Sequence, residues 1–205
     1  MGIFSSEGSE TDAISFLDQQ HNEVEELFSQ FDDSDGAAGR KIFEQIRDKL
    51  RVHAQIEEEI FYPPVKQAKS EETGEEIAEA VEEHYQIKLI IDDIDSTRPT
   101  GDVFKGKMKV LKEDVEHHVQ EERDDVFPDA RNYLGEEKLE ELGEQLRERA
   151  EELMARGTRR SSKRTSRSGS SKSSKGSVRA TAGASKSSAR GKGARTAKSR
   201  AKARG

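Results

Sequence analysis

Two twelve-residue stretches of the chain pair an imidazole with a carboxylate in the same way. One runs Val52-His53-Ala54-Gln55-Ile56-Glu57-Glu58-Glu59-Ile60-Phe61-Tyr62-Pro63, and the other His117-His118-Val119-Gln120-Glu121-Glu122-Arg123-Asp124-Asp125-Val126-Phe127-Pro128. Aligned on their prolines, His53 falls on His118, Glu57 on Glu122 and Tyr62 on Phe127, all at one offset of 65 residues. A histidine and a glutamate four residues apart lie one above the other on the same helix face. Imidazole nitrogen and carboxylate oxygen, with no cysteine anywhere in the chain, are donors that suit iron, manganese or zinc.

The remaining histidines sharpen the pattern. Of five in all, at 21, 53, 84, 117 and 118, four fall on apolar stripes, one per predicted helix. If about three positions in seven face a core, chance alone puts four of four there in roughly three cases in a hundred. His21 precedes His53 by 32 residues and His84 precedes His118 by 34, so each half of the chain supplies one lone histidine and one His-x-x-x-Glu. Singly, each residue has a plainer reading: a core histidine held by a hydrogen bond, or a glutamate on the solvated face of the Glu57-Glu58-Glu59 run. Jointly they do not. Two carboxylates in an apolar core are expensive unless paired or metal-bound, and no Lys or Arg shares their stripes. A pair of cations satisfies all six groups, and a bundle core is where facing helices build such dinuclear sites. His117 stands one step off its stripe and is expected to be exposed or to support the site from outside. Glu58 and Glu121 are alternates if the helices rotate.

The elements that must position these side chains are helices. The spacing predicts a first helix over 12–34, with Ile14, Leu17, His21, Val24, Phe28 and Phe31 on one stripe and Ser9 or Thr11 as its cap. A second is predicted over about 40–62 (Ile42, Ile46, Leu50, His53, Glu57), ended or distorted by Pro63-Pro64. A third covers about 75–94 (Ile77, Val81, His84, Ile87, Ile91), and a fourth about 103–127 (Phe104, Met108, Leu111, Val115, His118, Glu122). A shorter fifth, about 136–155, is expected to pack outside the bundle or wrap its open side. No stretch alternates as a strand would. The expected fold is therefore an all-α, up-down-up-down four-helix bundle, with residues 1–11 a disordered leader, 12–132 the bundle and 133–157 the accessory helix.

Charge divides the chain at Thr158. All 42 acidic residues precede it, and 16 of the 35 Lys and Arg follow it, so the net charge of −7 is the sum of a body at −23 and a tail at +16. Residues 158–205 are Ser, Lys, Arg, Ala and Gly with a few Thr and with Val178 the one large aliphatic, a composition expected to be disordered. Such a tail binds nucleic acid or other polyanions without sequence preference, through counterion release, or folds back on its own acidic body. Base stacking is not expected, because the tail holds no aromatic residue. Absence of cysteine fits a reducing, cytoplasmic setting, no apolar run is long enough for a membrane span, and no phosphate loop, nucleophile elbow or zinc finger occurs. No catalytic residue is assigned.

Over about residues 12–132 the sequence resembles the hemerythrin-like, or HHE cation-binding, domains. The matching positions are His21, the His53/Glu57 pair with Phe61-Tyr62-Pro63, His84, and the His118/Glu122 pair with Phe127-Pro128. The resemblance implies a non-haem di-iron site with Glu57 and Glu122 bridging and the four histidines as terminal ligands. It further implies binding or sensing of dioxygen, nitric oxide or iron, or a part in stress response. A di-iron enzyme consuming peroxide or oxygen is the alternative, as is a structural bundle whose tail binds nucleic acid. Oxygen-carrying members place two histidines four apart on the third helix, whereas the positions four away from His84 are Ala80 and Lys88. That departure argues against reversible oxygen carriage. Water, Glu25 or Tyr85 is expected at the vacant position, with Tyr62 a further neighbour of the site.

Overall fold

The structure, a computed structural model, describes residues 12–68 and 71–168, and at 71–73 and 158–168 it describes the backbone alone. Helix α1 (Ala13–Asp32) begins where the Asp12 carboxylate accepts the Ser15 amide at 2.7 Å. Asp12 is therefore the cap, while Ser9 and Thr11 lie outside the described residues. Helix α2 (Gly36–Ile56) follows after a tight turn. It does not stop at the prolines. A π-helical turn over Glu57–Phe61 hands it on to α3 (Tyr62–Ala68). Helix α4 (Glu71–Thr97) is long. Helix α5 (Gly101–Glu121) passes through a second π-helical turn, Glu122–Val126, into α6 (Phe127–Leu134).

These π turns explain how helices run through Pro63 and Pro128. The amide of Tyr62 donates to the Glu57 carbonyl, and that of Phe127 to the Glu122 carbonyl, each five residues back. Each proline comes next, where the widened turn leaves room for a ring without an N–H. Of the two outcomes expected at Pro63-Pro64, an end or a distortion, the structure shows a distortion: a continuous helix with one extra residue wound into it.

Helix α7 (Glu136–Ser168) begins after Gly135, whose φ of 76° lets the chain reverse. It runs past the expected end near residue 155 and carries helix eleven residues into the stretch expected to be disordered from 158. The physical reason is local. Thr158-Arg159-Arg160-Ser161-Ser162-Lys163-Arg164 contains no Pro or Gly, and basic residues are favoured in the last turns of a helix. Residues 1–11 and 169–205, where the leader and the rest of the tail were expected, lie outside the described residues.

α1 packs on α2, α2 on α4, α4 on α5 and α5 back on α1, the up-down-up-down ring. α7 lies against α1 and α2, burying Leu139, Leu142 and Leu146 among Ile14, Leu17, Phe61 and Val65. Two apolar clusters fill the bundle. One holds Leu17, Ile56, Phe61, Ile77 and Phe127, and the other Val24, Phe28, Phe43, Leu50, Ile91 and Val115. Between them, on α1, α2, α4 and α5, the stripe is interrupted by a buried polar side chain. Among the described residues no strand occurs, and no helix is long and apolar enough to cross a membrane.

Candidate metal centre

That polar layer is made by His21 on α1, His53 at the end of α2, His84 on α4, His118 at the end of α5, and the two glutamates that open the π turns. All six are buried, Glu57 and Glu122 completely. The histidines meet in pairs through their outer ring nitrogens. His21 Nε2 lies 2.8 Å from His53 Nε2, and His84 Nε2 lies 3.1 Å from His118 Nε2. Each glutamate reaches across the pairs. Glu57 Oε2 is 3.2 Å from both His53 Nε2 and His84 Nε2, while Glu122 Oε2 is 3.2 Å from His21 Nε2 and 3.5 Å from His118 Nε2. Each carboxylate oxygen thus touches one histidine of each pair.

Behind the rings stand the groups that set their tautomers. His53 Nδ1 faces Gln20 Oε1 at 2.9 Å, His84 Nδ1 faces Glu58 Oε1 at 3.1 Å, and His118 Nδ1 faces Glu83 Oε2 at 2.9 Å. Each of these oxygens accepts an Nδ1–H, which turns the Nε2 lone pair inward. Tyr62 donates its hydroxyl to Glu122 Oε1 at 2.7 Å and stacks on His84.

Burial pushes the Glu57 carboxyl well above its ordinary range, and the neighbouring charge of Glu122 adds to it. Glu122 is held below that range: burial opposes its charge, but the imidazoles of His118 and His21 outweigh it. The two carboxyls are thus pushed in opposite directions, one toward the acid and the other toward the carboxylate, as crowded buried pairs are. Desolvation drives His53 well below the ordinary imidazole value and lowers His84 as well. His118 is raised, because Glu122 and Glu83 outweigh its burial. The hydrogen bond from His84, joined by Lys88 at 2.6 Å, brings Glu58 down to about 2.

The donor set fits metal. Both Glu57 oxygens, Glu122 Oε2 and His21 Nδ1 are buried without a hydrogen-bond partner, and an orphaned buried polar atom costs about 1–3 kcal/mol. Lone pairs of two imidazoles aimed at one another repel unless a cation stands between them. Nitrogens about 2.0–2.1 Å from one ion at a right angle lie about 2.9 Å apart, close to the spacing of both pairs. His21, His53, His118 and Glu122 offer one group of convergent donors, and Glu57, His84 and His118 another.

The other positions singled out by the sequence divide between the site's edge and the surface. Tyr62 lies against the site, and Glu58 supports it from behind. Glu121 is ion-paired with His117 at 3.2 Å, and the His117 side chain is 64% exposed, so neither joins the centre. Glu25 and Tyr85 do not fill the vacant position: Glu25 Oε1 accepts from Arg123 at 2.8 Å, and Tyr85 is exposed. Val24 and Phe28 take the core side of α1 and turn Glu25 outward, while Tyr85 stands a helix step away from His84. Ala80 is buried near His118 and Glu122, and Lys88 is tied to Glu58. Gln20 and Glu83 were missed. Each directly precedes a lone histidine, in Gln20-His21 and Glu83-His84, and each reaches the ring of the next helix. That shared position is the signal that could have found them.

Comparison with known proteins bears on the same residues. Residues 12–130 match the hemerythrin HHE cation binding domain family. A protein of Nostoc sp. (strain PCC 7120) described as a DNA nickase is 29% identical over 145 residues, which is 69% of this chain and 40% of that longer protein. The crystal structure of a hemerythrin HHE cation binding domain-containing protein from Mycobacterium kansasii superposes with a TM-score of 0.61 at 23% identity, covering 70% of this chain and 88% of that one. This last likeness concerns the fold.

Proposed function

Because the chain belongs to the hemerythrin HHE cation-binding domain family, we propose that its buried histidines and glutamates hold a pair of non-haem iron ions, and that this centre binds or senses a small ligand such as dioxygen or nitric oxide, or iron itself, in the cytoplasm. The observation that carries the reading is the crossed contact pattern, in which Glu57 and Glu122 each touch one histidine of each pair. That is the arrangement two carboxylates need to serve two cations at once. Zinc and manganese suit the same donors and are the competing occupants.

When bound, iron would supply Lewis acidity and redox capacity. The protein's share is positioning. Gln20, Glu58 and Glu83 fix three rings with their Nε2 lone pairs inward. Tyr62 orients Glu122 and sets a proton on its Oε1 side. The apolar clusters above and below exclude water. The positions four residues from His84, one of which carries a further histidine in oxygen carriers, are Ala80 and Lys88, the latter held by Glu58; neither gives the centre a donor, which favours ligand sensing or turnover over reversible carriage. Metal analysis joined to optical spectra tests the proposal: about two irons per chain, with visible absorption that changes on exposure to dioxygen or nitric oxide. Colourless protein holding zinc alone would count against it. Peroxide consumed over many turnovers, and lost in Glu57→Ala, would move the reading to an oxygen- or peroxide-consuming enzyme.

A second reading rests on the relative described as a DNA nickase together with the run of cations that begins at Arg159. In it the chain contacts DNA through residues 158–205. Retardation of a short duplex that weakens steeply with salt supports contact. Conversion of supercoiled plasmid to nicked circle by the metal-loaded chain would extend it to activity.

A further inference from the structure

A narrow pocket of about 60 Å³ opens between α4 and the second π turn. Its lining passes from exposed Glu79 and Asp125, past half-buried Glu83 and Glu121, to fully buried Glu122 and His118. No Lys or Arg lines it. At its inner end Glu122 Oε2 is buried and without a hydrogen-bond partner, and Ala80 leaves space where a larger side chain would close the way. Beside the pocket, Glu83, His117 and Glu121 form a second cluster of convergent donors. His117 Nε2 lies 3.2 Å from Glu121 Oε1 and 3.5 Å from Glu83 Oε1. Glu83 belongs to both places, since its other oxygen accepts from His118.

We propose that this acidic pocket is the route by which divalent cations reach the buried centre, with Glu83, His117 and Glu121 as an outer site that binds each ion on its way in. The inference rests on the centre taking metal. A cleft lined by one sign of charge, with apolar walls, focuses the field and concentrates counter-ions, raising entry rates by about 10- to 1,000-fold. Carboxylates and one imidazole on the surface hold an aquated divalent ion weakly enough to release it inward. Anions are repelled by the same lining.

The test uses the full chain stripped of metal, with Co²⁺ as the probe. Its visible absorption follows entry in a stopped-flow mixer, and equilibrium dialysis counts the ions finally held. Glu79→Gln with Glu121→Gln removes two charges from the lining without touching the inner donors. Glu144→Gln with Glu148→Gln removes two from the exposed face of α7 as a control for overall charge. Expected is an entry rate about tenfold slower in the first pair, with an unchanged count at the centre and a wild-type rate in the second. Equal rates in all three proteins, or equal slowing in both pairs, would overturn the route while leaving the centre intact. Wild-type protein that takes up no Co²⁺ at the centre would overturn both.

Discussion

A carboxyl group buried completely, with neither oxygen hydrogen-bonded, destabilises a fold until a cation arrives. Glu57 is such a group. Replacing it with glutamine removes the charge that burial and Glu122 work against, so metal-free Glu57→Gln should be more stable than metal-free wild type at neutral pH, and the gain should shrink as pH falls through the ordinary carboxylate range, where the wild-type group is protonated folded or unfolded. Thermal melts with and without metal check this. Metal should stabilise the variant less than wild type, and a variant stabilised equally would remove Glu57 from the ligands. A second prediction comes from the rings' outer partners. His84 and His118 are backed by the carboxylates Glu58 and Glu83, whereas His53 has only the Gln20 amide, and His21 Nδ1 has nothing. The repeat explains the difference: 65 residues after Glu58 stands Arg123, which pairs with Asp18 and Glu25 instead. Outer partners of this kind change affinity by about 10- to 100-fold. The two ions should therefore bind in two resolved calorimetric steps, the tighter at His84 and His118, and Glu58→Gln should weaken that step most. At this scale the sequence spoke clearly where helical spacing speaks. The six inward groups stand at steps of three and four from apolar residues. Gln20 and Glu83 stand one step aside, and their reach to a neighbouring helix depends on packing that no single-helix pattern contains.

Both π turns start on a fully buried glutamate, and each is followed directly by the aromatic residue, Tyr62 or Phe127, that precedes a proline. Winding one extra residue into an α-helix rotates every later side chain by about 100° around the axis. Glu57 is thereby kept in the polar layer while Phe61 and Tyr62 still reach the core, and Tyr62 meets Glu122. The repeated proline is visible in the sequence. Its consequence is only half visible, because proline in a helical pattern reads as an end or a distortion without saying which, or that the turn before it is wide. Deleting exposed Glu59 should convert the first turn to α geometry and swing Phe61 and Tyr62 away from their places. The expected cost is about 3–5 kcal/mol, comparable to losing a buried aromatic side chain, measured by urea unfolding of the metal-free chain. The deletion should also abolish the Tyr62–Glu122 hydrogen bond and, with it, full metal occupancy. An unchanged unfolding midpoint would mean that the wide turn does not set these positions. The same limit of pattern reading applies to α7, where a basic, serine-rich composition pointed to disorder and the backbone continues in helix to Ser168.

Across the whole molecule the polar layer divides the core into two apolar clusters, each drawing residues from several helices. Removal of metal should therefore weaken the fold at its middle without dissolving it. Helical content at room temperature is expected to survive chelation, because the clusters on either side keep their packing. Stability is expected to fall, because lone pairs and carboxylate oxygens that a cation satisfied are left facing one another. If free metal stands at a thousand times its dissociation constant, binding contributes about 4 kcal/mol. For a chain of this size each kcal/mol moves the melting temperature by about 2–4 °C. Chelated protein should thus melt on the order of 10 °C below loaded protein, with near-equal circular dichroism at room temperature before heating. A chelated chain that melts at the loaded temperature would show that the buried histidines and glutamates satisfy one another, and the bundle would then be a structural one. A chelated chain without helix would show instead that metal is needed to fold, which the continuity of the two clusters on either side of the site argues against.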